Sequence, residues 1–175
     1  MPIRLGLVGL GQIARTQHLP AIAGTPGLDL AAVASPGAQL DGVPCYSDIG
    51  TMLAAEPHLD AITLCTPPRG RFEQACAAIA AGKHVMLEKP PCTSLAGAQT
   101  LGDMAATAGV SLFTTWHSRC AAGVDAARAL LATRTIHSVE IVWREDVTRW
   151  HPGQEWIWEP GALARISHRD LREGR

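Results

Sequence analysis

Short apolar runs alternate with longer segments of helical composition through the first two thirds of the chain. Ile3 to Val8, Asp29 to Ala34, Ala61 to Cys65, His84 to Leu87 and Ser111 to Thr115 each read as a strand. These runs are nearly continuous in apolar residues rather than alternating with polar ones. A strand apolar on both sides has to be covered on both faces, which is the mark of a parallel sheet with crossover helices. Gln12 to Ala23, Asp48 to about Glu56, Arg71 to Ala81 and Ser94 to Ala108 read as those helices. Asp48 supplies an N-cap, and Gly82 and Gly109 supply left-handed C-caps. Ser35-Pro36-Gly37 and Thr66-Pro67-Pro68 break the strands before them. The pattern therefore predicts an α/β fold, a doubly wound parallel sheet. From about 116–120 the rhythm changes. A helix is expected from Ala121 to about Leu131, and Val139 to Trp143 alternates like a strand with one wet face. The expected organisation is a first domain over 1–118 and the start of a second, incomplete α/β domain over 119–175.

Composition narrows the class. Of the 175 residues, 47% are hydrophobic and 18% charged, and the net charge is −1, so no basic excess points to nucleic acid or an anionic membrane. No apolar run reaches the about 18–20 residues needed to cross a bilayer. The five cysteines show no CxxC and no paired spacing, which fits a reducing, cytoplasmic setting better than a disulfide framework or a zinc site. Met1-Pro2-Ile3-Arg4 runs straight into a strand, so no leader peptide is expected. All five tryptophans lie from Trp116 onward, which suits either a stacking surface or ordinary core packing.

Gly9-Leu10-Gly11-Gln12-Ile13-Ala14 has the G-x-G-x-x-A form, follows a strand and opens a helix. Gly9 permits the tight turn, Gly11 lets the backbone approach a pyrophosphate, and Ala14 lets the helix pack close to the strand. The helix start adds free N–H donors and a positive dipole end. Ser35 stands where a ribose-selecting acidic residue is common. It can bond either a 2′-hydroxyl or a 2′-phosphate, so NAD and NADP both remain open. Arg15 is either a distant partner for such a phosphate or a solvated helix-surface residue. Thr66-Pro67-Pro68 leaves the carboxyl edge of the sheet, where ligands bind in such folds, although a plain strand stop reads the same way. Glu88-Lys89-Pro90 closes the next strand. A lysine at a buried strand end is expensive unless paired or used. Its amine suits proton transfer at a substrate hydroxyl, with Glu88 holding it in place.

Gly9-x-Gly11-x-x-Ala14, Thr66-Pro67-Pro68, Gly82-Lys83-His84-Val85 and Glu88-Lys89-Pro90 together resemble the Gfo/Idh/MocA oxidoreductase family, over residues 1 to about 115. The resemblance implies a Rossmann domain followed by an α/β domain with a large open sheet, NAD or NADP as cofactor, and oxidation of a sugar or cyclitol. It implies Lys89 as the catalytic proton-transfer residue. The cofactor is then expected on Gly9, Gly11, Gln12, Ile13, Ser35, Thr66, Pro67 and Glu88. Trp116-His117-Ser118-Arg119, Glu145-Asp146 and Trp150 through Gly161 resemble the aldose 1-dehydrogenase branch. There the small-molecule partner would be an aldose of the L-arabinose or D-galactose class, oxidised at C1 to the lactone. His117, Glu145, Trp150 and His151 would line the sugar pocket. A tryptophan face stacks on the C–H face of a pyranose while His and Glu take its hydroxyls. His117 and His151 have no third ligand in register, so no metal is expected.

After Gly161 the sequence departs from the family. Ile166 stands at the family's Asp position and Asp170 at its Asn position, in a tail that turns basic and polar. The tail reads as a shifted frame that truncates the second domain. On that reading residues 1 to about 115 fold and bind dinucleotide, 145–175 are poorly ordered, and the sugar pocket is half-built. The alternative function is then a catalytically dead, dinucleotide-binding remnant. The association sheet of the family would be missing, which leaves any homo-oligomer undetermined.

Overall fold

The computed structural model describes residues 1–142, 144 and 146. Six parallel strands form one sheet: β1 (Ile3–Val8), β2 (Leu28–Ala34), β3 (Cys45–Tyr46), β4 (Ala61–Leu64), β5 (His84–Leu87) and β6 (Leu112–Thr114). Their order is β3-β2-β1-β4-β5-β6, and every neighbouring pair is parallel. The doubly wound sheet read from the sequence is borne out. β3 is the strand that the apolar pattern does not announce. It is two residues long on the sheet edge, and backbone bonds from Val33 N–H to Pro44 O and from Ser35 N–H to Tyr46 O hold it there (both 2.9 Å).

The crossover elements are α1 (Leu19–Ala23), α2 (Ile49–Ala55), α3 (Arg71–Ala80) and α4 (Leu95–Ala108). Asp48 caps α2 by accepting Thr51 N–H (2.9 Å), and Ser94 caps α4 by accepting Gly97 N–H (3.1 Å). Gly109 closes α4 in the left-handed conformation (φ 68°). The sheet buries both faces, as its apolar strands require. One face packs Val8, Ala34, Ile62, Leu64 and Leu87 against α2, α3 and α4 residues such as Met52, Ile79 and Leu101. The other packs Leu7, Val33 and Cys65 against Ala14 and Ile22. Neighbours along a strand, such as Leu7 and Val8, go to opposite faces, as a period of two dictates.

The segment expected as one helix over Gln12 to Ala23 is helical, but its middle is wound as a π-helix, Ala14–His18, with Leu19 N–H donating to Ala14 O. Pro20 accounts for this. It has no N–H to give Thr16 O, and its ring crowds the carbonyl four residues back, so a regular α-turn is blocked. The wider turn absorbs the proline and leaves both Ala14 and His18 buried against the sheet.

The described residues form two compact units, one over Met1–Thr115 and one beginning at Trp116. The second holds a 3₁₀ turn, His117–Cys120, and α5 (Val124–Ala132). The strand expected over Val139 to Trp143 is corrected: Val139 to Val142 have no regular structure and are largely exposed, and Trp143 lies outside the described residues. A strand needs a neighbouring backbone edge, and no described residue offers one here. No helix among the described residues is long and apolar enough to cross a membrane.

Ile62 is fully buried at the centre of β4. Ile62→Ala should lower stability by about 2–5 kcal/mol through lost burial and the cavity left behind. Leu95→Ala, at an 87% exposed position, should change it by about 0.5 kcal/mol at most. Urea denaturation midpoints of the two variants check the contrast.

Candidate active site

Register sets which loops meet. Val8 sits beside Ala34 and Leu64, Leu64 beside Leu87, and Leu87 beside Thr114. The carboxyl ends of β2, β1, β4, β5 and β6 therefore stand in a row. The segments that leave them are Ser35–Gly37, Gly9–Gly11, Thr66–Pro68 and Glu88–Pro90, with Thr115 last. The chain reverses its winding direction between β1 and β4, and the crevice there is where open α/β sheets take their ligands.

Gly9 shows how close those segments run. Its φ is +90°, and a Cβ built on it would lie 2.7 Å from Thr66 Cγ2 and 2.9 Å from Thr66 N. No side chain fits there, and the conformation itself favours glycine. Gly11 is the opposite case: a Cβ on it would meet nothing within 4 Å. The protein leaves that side open, at the point where backbone N–H groups begin the helix. Ala14 is fully buried, which sets the helix close to the sheet. These three positions provide the cradle that a dinucleotide pyrophosphate requires. Gln12 and Ile13 stand exposed on the first helical turn. Ser35 is partly buried at the end of β2, its N–H given to Tyr46 O. Thr66 donates its hydroxyl to Gln74 Oε1 of α3 (2.6 Å), and Pro67 is exposed beside it.

The Glu88–Lys89 segment differs from the expected charged pair. Lys89 is exposed rather than enclosed at the buried strand end, and its ammonium forms no ion pair with Glu88. The Glu88 carboxylate, 9% exposed, is committed elsewhere. Its Oε1 lies 2.8 Å from His18 Nε2, and its Oε2 accepts the Lys89 backbone N–H (3.2 Å). Glu88 thus holds the backbone of Lys89, not its amine. The physical reason is competition: a buried imidazole brings no long flexible chain to order, and it already faces the carboxylate from the π-turn.

His18 is 8% exposed, with Thr63 Oγ1 3.4 Å from its Nδ1. The Cys65 sulfur and the Glu88 carboxylate raise its pKa from 6.5 to about 9 against the desolvation that opposes them. The ring is therefore an imidazolium at neutral pH, a donor at both nitrogens. Burial pushes Glu88 up, but His18, the Lys89 N–H and the Thr115 hydroxyl, which lies nearby outside hydrogen-bond geometry, outweigh it, and its net shift is downward.

Arg71, 2% exposed, comes from the first residue of α3. Its guanidinium donates to Thr66 O, Glu88 O and Pro90 O. Desolvation lowers its pKa, and the Glu88 charge works against that. The Lys89–Pro90 peptide is cis. Neither His18 nor Arg71 stands out in the sequence. One is a single polar residue in an apolar helix; the other is an arginine at a helix start, which ordinarily faces solvent.

His117 is exposed in the 3₁₀ turn of the second unit. Glu145, Trp150 and His151 lie outside the described residues. Among the described residues no group of His, Cys, Asp and Glu is arranged to hold a metal.

Comparison with known proteins gives a consistent result. The family described as an oxidoreductase family with an NAD-binding Rossmann fold matches residues 3–115. Galactose 1-dehydrogenase of Pseudomonas fluorescens is 49% identical over 163 residues, 91% of this chain and 52% of that protein. The crystal structure of a D-galactose-1-dehydrogenase protein from Rhizobium etli superposes with a TM-score of 0.84 at 51% identity, over 93% of this chain and 52% of that one. The WlbA dehydrogenase from Bordetella pertussis, solved with NADH and UDP-GlcNAcA, superposes at 0.68 with 29% identity, over 75% of this chain and 42% of that one. The chain thus spans about half the length of the galactose 1-dehydrogenases it matches.

The His18–Glu88 pair has a pH signature. A histidine whose folded pKa is raised stabilises fully below its unfolded value near 6.5, and that contribution is lost as pH rises through about 9. The total loss should be on the order of 3 kcal/mol. Urea midpoints measured from pH 6 to 10 should fall across this window, and His18→Gln should flatten the fall. A level wild-type profile would show that the ring is not charged in the folded state.

Proposed function

The chain belongs to the Gfo/Idh/MocA oxidoreductase family, with its NAD-binding Rossmann fold, and from that premise we propose that it serves the oxidation of an aldose at C1 to the lactone. The substrate class is that of D-galactose and L-arabinose. The observation that carries the reading is the row of strand ends: an open glycine turn after β1, the Thr66 loop after β4 and Lys89 after β5 stand side by side. The 49% identity to galactose 1-dehydrogenase supplies the substrate class.

When bound, the dinucleotide supplies the hydride acceptor. The residues assigned to hold it are Gly9, Gly11, Gln12 and Ile13 at the pyrophosphate, Ser35 at the adenosine ribose, and Thr66 and Pro67 as a rigid wall. Donors from the helix start meet phosphate charge, and the open side of Gly11 admits it without steric conflict. Glu88 is assigned to this side of the site through the backbone it fixes. Lys89 Nζ is assigned the proton of the sugar C1 hydroxyl: as C1 gives up a hydride, O1 gives its proton to the amine and becomes the lactone carbonyl. His117, Glu145, Trp150 and His151 are assigned to the sugar. A cytoplasmic setting suits the five free cysteines.

The alternative, a dinucleotide-binding chain without turnover, separates from this in one assay. Purified protein given NAD or NADP and a panel of aldoses should produce reduced cofactor with D-galactose or L-arabinose. Lys89→Ala should then cut turnover about 10²–10⁴-fold with little change in nucleotide affinity. Nucleotide binding without reduction for every aldose supports the alternative.

Gly11→Val should abolish nucleotide binding while the protein unfolds at nearly the wild-type urea midpoint, because the added side chain meets no protein atom near its Cβ. Titration of cofactor fluorescence reads the first quantity. Unchanged affinity would remove this turn from the site.

A further inference from the structure

We propose that Arg71 and His18 are positioning residues for Lys89, gripping its backbone from two sides so that the amine projects from a fixed base. The proposal rests on the reading of Lys89 given above, and it adds the machinery that aims it.

Glu88 O and Pro90 O are the carbonyls on either side of Lys89, and the same Arg71 nitrogen, Nη1, donates to both. Nε and Nη2 donate to Thr66 O, at the end of the neighbouring strand. One guanidinium therefore ties the loop after β4 to the loop after β5. From the other side, the His18 ring holds the Glu88 carboxylate, whose second oxygen accepts the Lys89 N–H. The Lys89 N–H and the carbonyls flanking it are thus all held by side chains. His18 comes from the π-turn after β1, Arg71 from α3 and Glu88 from β5, so the elements around the crevice meet at one residue.

Stability alone does not explain these choices. A buried charge costs several kcal/mol in desolvation, and apolar replacements of buried ion pairs are often neutral or stabilising. Arg71 and His18 are two of the four buried polar or charged residues of the described core, and Glu88 and Thr63 are the other two. Three of these four converge on one segment, and Thr63 touches the histidine. A planar fork is also what this task needs: a lysine has one nitrogen and cannot span carbonyls on two loops. Among the described residues the Lys89 amine itself has no ion-pair partner. Its position therefore depends on its backbone, and a displacement of about 1 Å at a reacting group costs on the order of 10²-fold in rate.

The sequence provides a clean probe, since the full chain contains two lysines, Lys83 and Lys89. Selective ¹⁵N-lysine labelling gives two backbone amide signals. The Lys83 N–H donates to Ala78 O (3.0 Å) at the far end of α3 and serves as the fold control. In Arg71→Met and His18→Leu, Lys89 amide exchange should accelerate about tenfold or more, the loss of roughly one hydrogen bond of protection, while Lys83 exchange stays unchanged. Arg71→Lys and His18→Gln keep one donor each and should fall between. They also stand in if the harsher variants fail to fold. On the activity side, kcat should drop about 10²-fold with nucleotide Kd held, a split that general destabilisation does not give. Lys89 exchange equal to wild type in variants whose Lys83 signal is intact would overturn the proposal, as would equal loosening of both amides. The amide measurement needs no turnover. Absence of aldose oxidation in the wild type would therefore refute the functional reading while leaving this arm to decide the grip.

Discussion

The buried carboxylate of Glu88 is the constraint around which the sheet edge is organised. An anion taken out of water needs its lone pairs satisfied, and the chain does so from different directions at once: the His18 imidazolium at 2.8 Å and the Lys89 N–H at 3.2 Å. Arg71 adds a second cation against the carbonyl of the same residue. Each partner carries its own desolvation cost, so the cluster contributes far less to net stability than its bond count suggests. What it does contribute is definition. Only one arrangement of the β1 crossover, β4, β5 and α3 satisfies these charges together.

That requirement explains a local irregularity. A helix that must present His18 to β5 and also contain Pro20 cannot remain a regular α-helix through both. The π-turn at Ala14–His18 reconciles them. It adds no cost at the sheet, because Ala14 is still fully buried there, and it spares the carbonyl that the proline ring would crowd. Glycine plays the matching part on the other side of the crevice. At Gly9 the Thr66 loop comes so close that any side chain would displace it. The nucleotide turn and the loop beside it are therefore fixed to each other by exclusion, while the lysine segment is fixed by charge.

The sheet was legible in the sequence because parallel strands buried on both faces have little freedom in composition. Ile3 to Val8 or Ala61 to Cys65 can hardly be anything else, and Asp48, Ser94 and Gly109 mark helix ends by chemistry that acts within a few residues. β3 was not legible, since two edge residues carry no period. The strand read into Val139 to Trp143 followed a true alternation, but alternation reports which side chains could be buried together, not whether a neighbouring strand is there to pair. The glycine turn and the Glu88-Lys89-Pro90 motif were visible as words. The partner of Glu88 was not: sequence adjacency suggested Lys89, while the contact is with a histidine 70 residues earlier. Buried polar pairing is a property of the assembled sheet, and no window of sequence contains both halves.

The division of labour across the strand ends follows from what each kind of group can do. Phosphate recognition by backbone N–H groups needs a fixed main chain and no side chain in the way, and this suits the glycine turn after β1. Proton transfer needs a side chain with reach, which a long amine provides, but reach brings rotamer freedom and so imprecision. Fixing the base of such a side chain is the available remedy, because tethering its amine would consume the group that has to react. Glu88 bound to the Lys89 backbone rather than to its ammonium is that remedy in atomic form. Had the expected Glu–Lys ion pair existed, Lys89 would have been better held and chemically occupied. The His18 imidazolium takes the carboxylate instead, and the lysine stays available at the edge of the crevice.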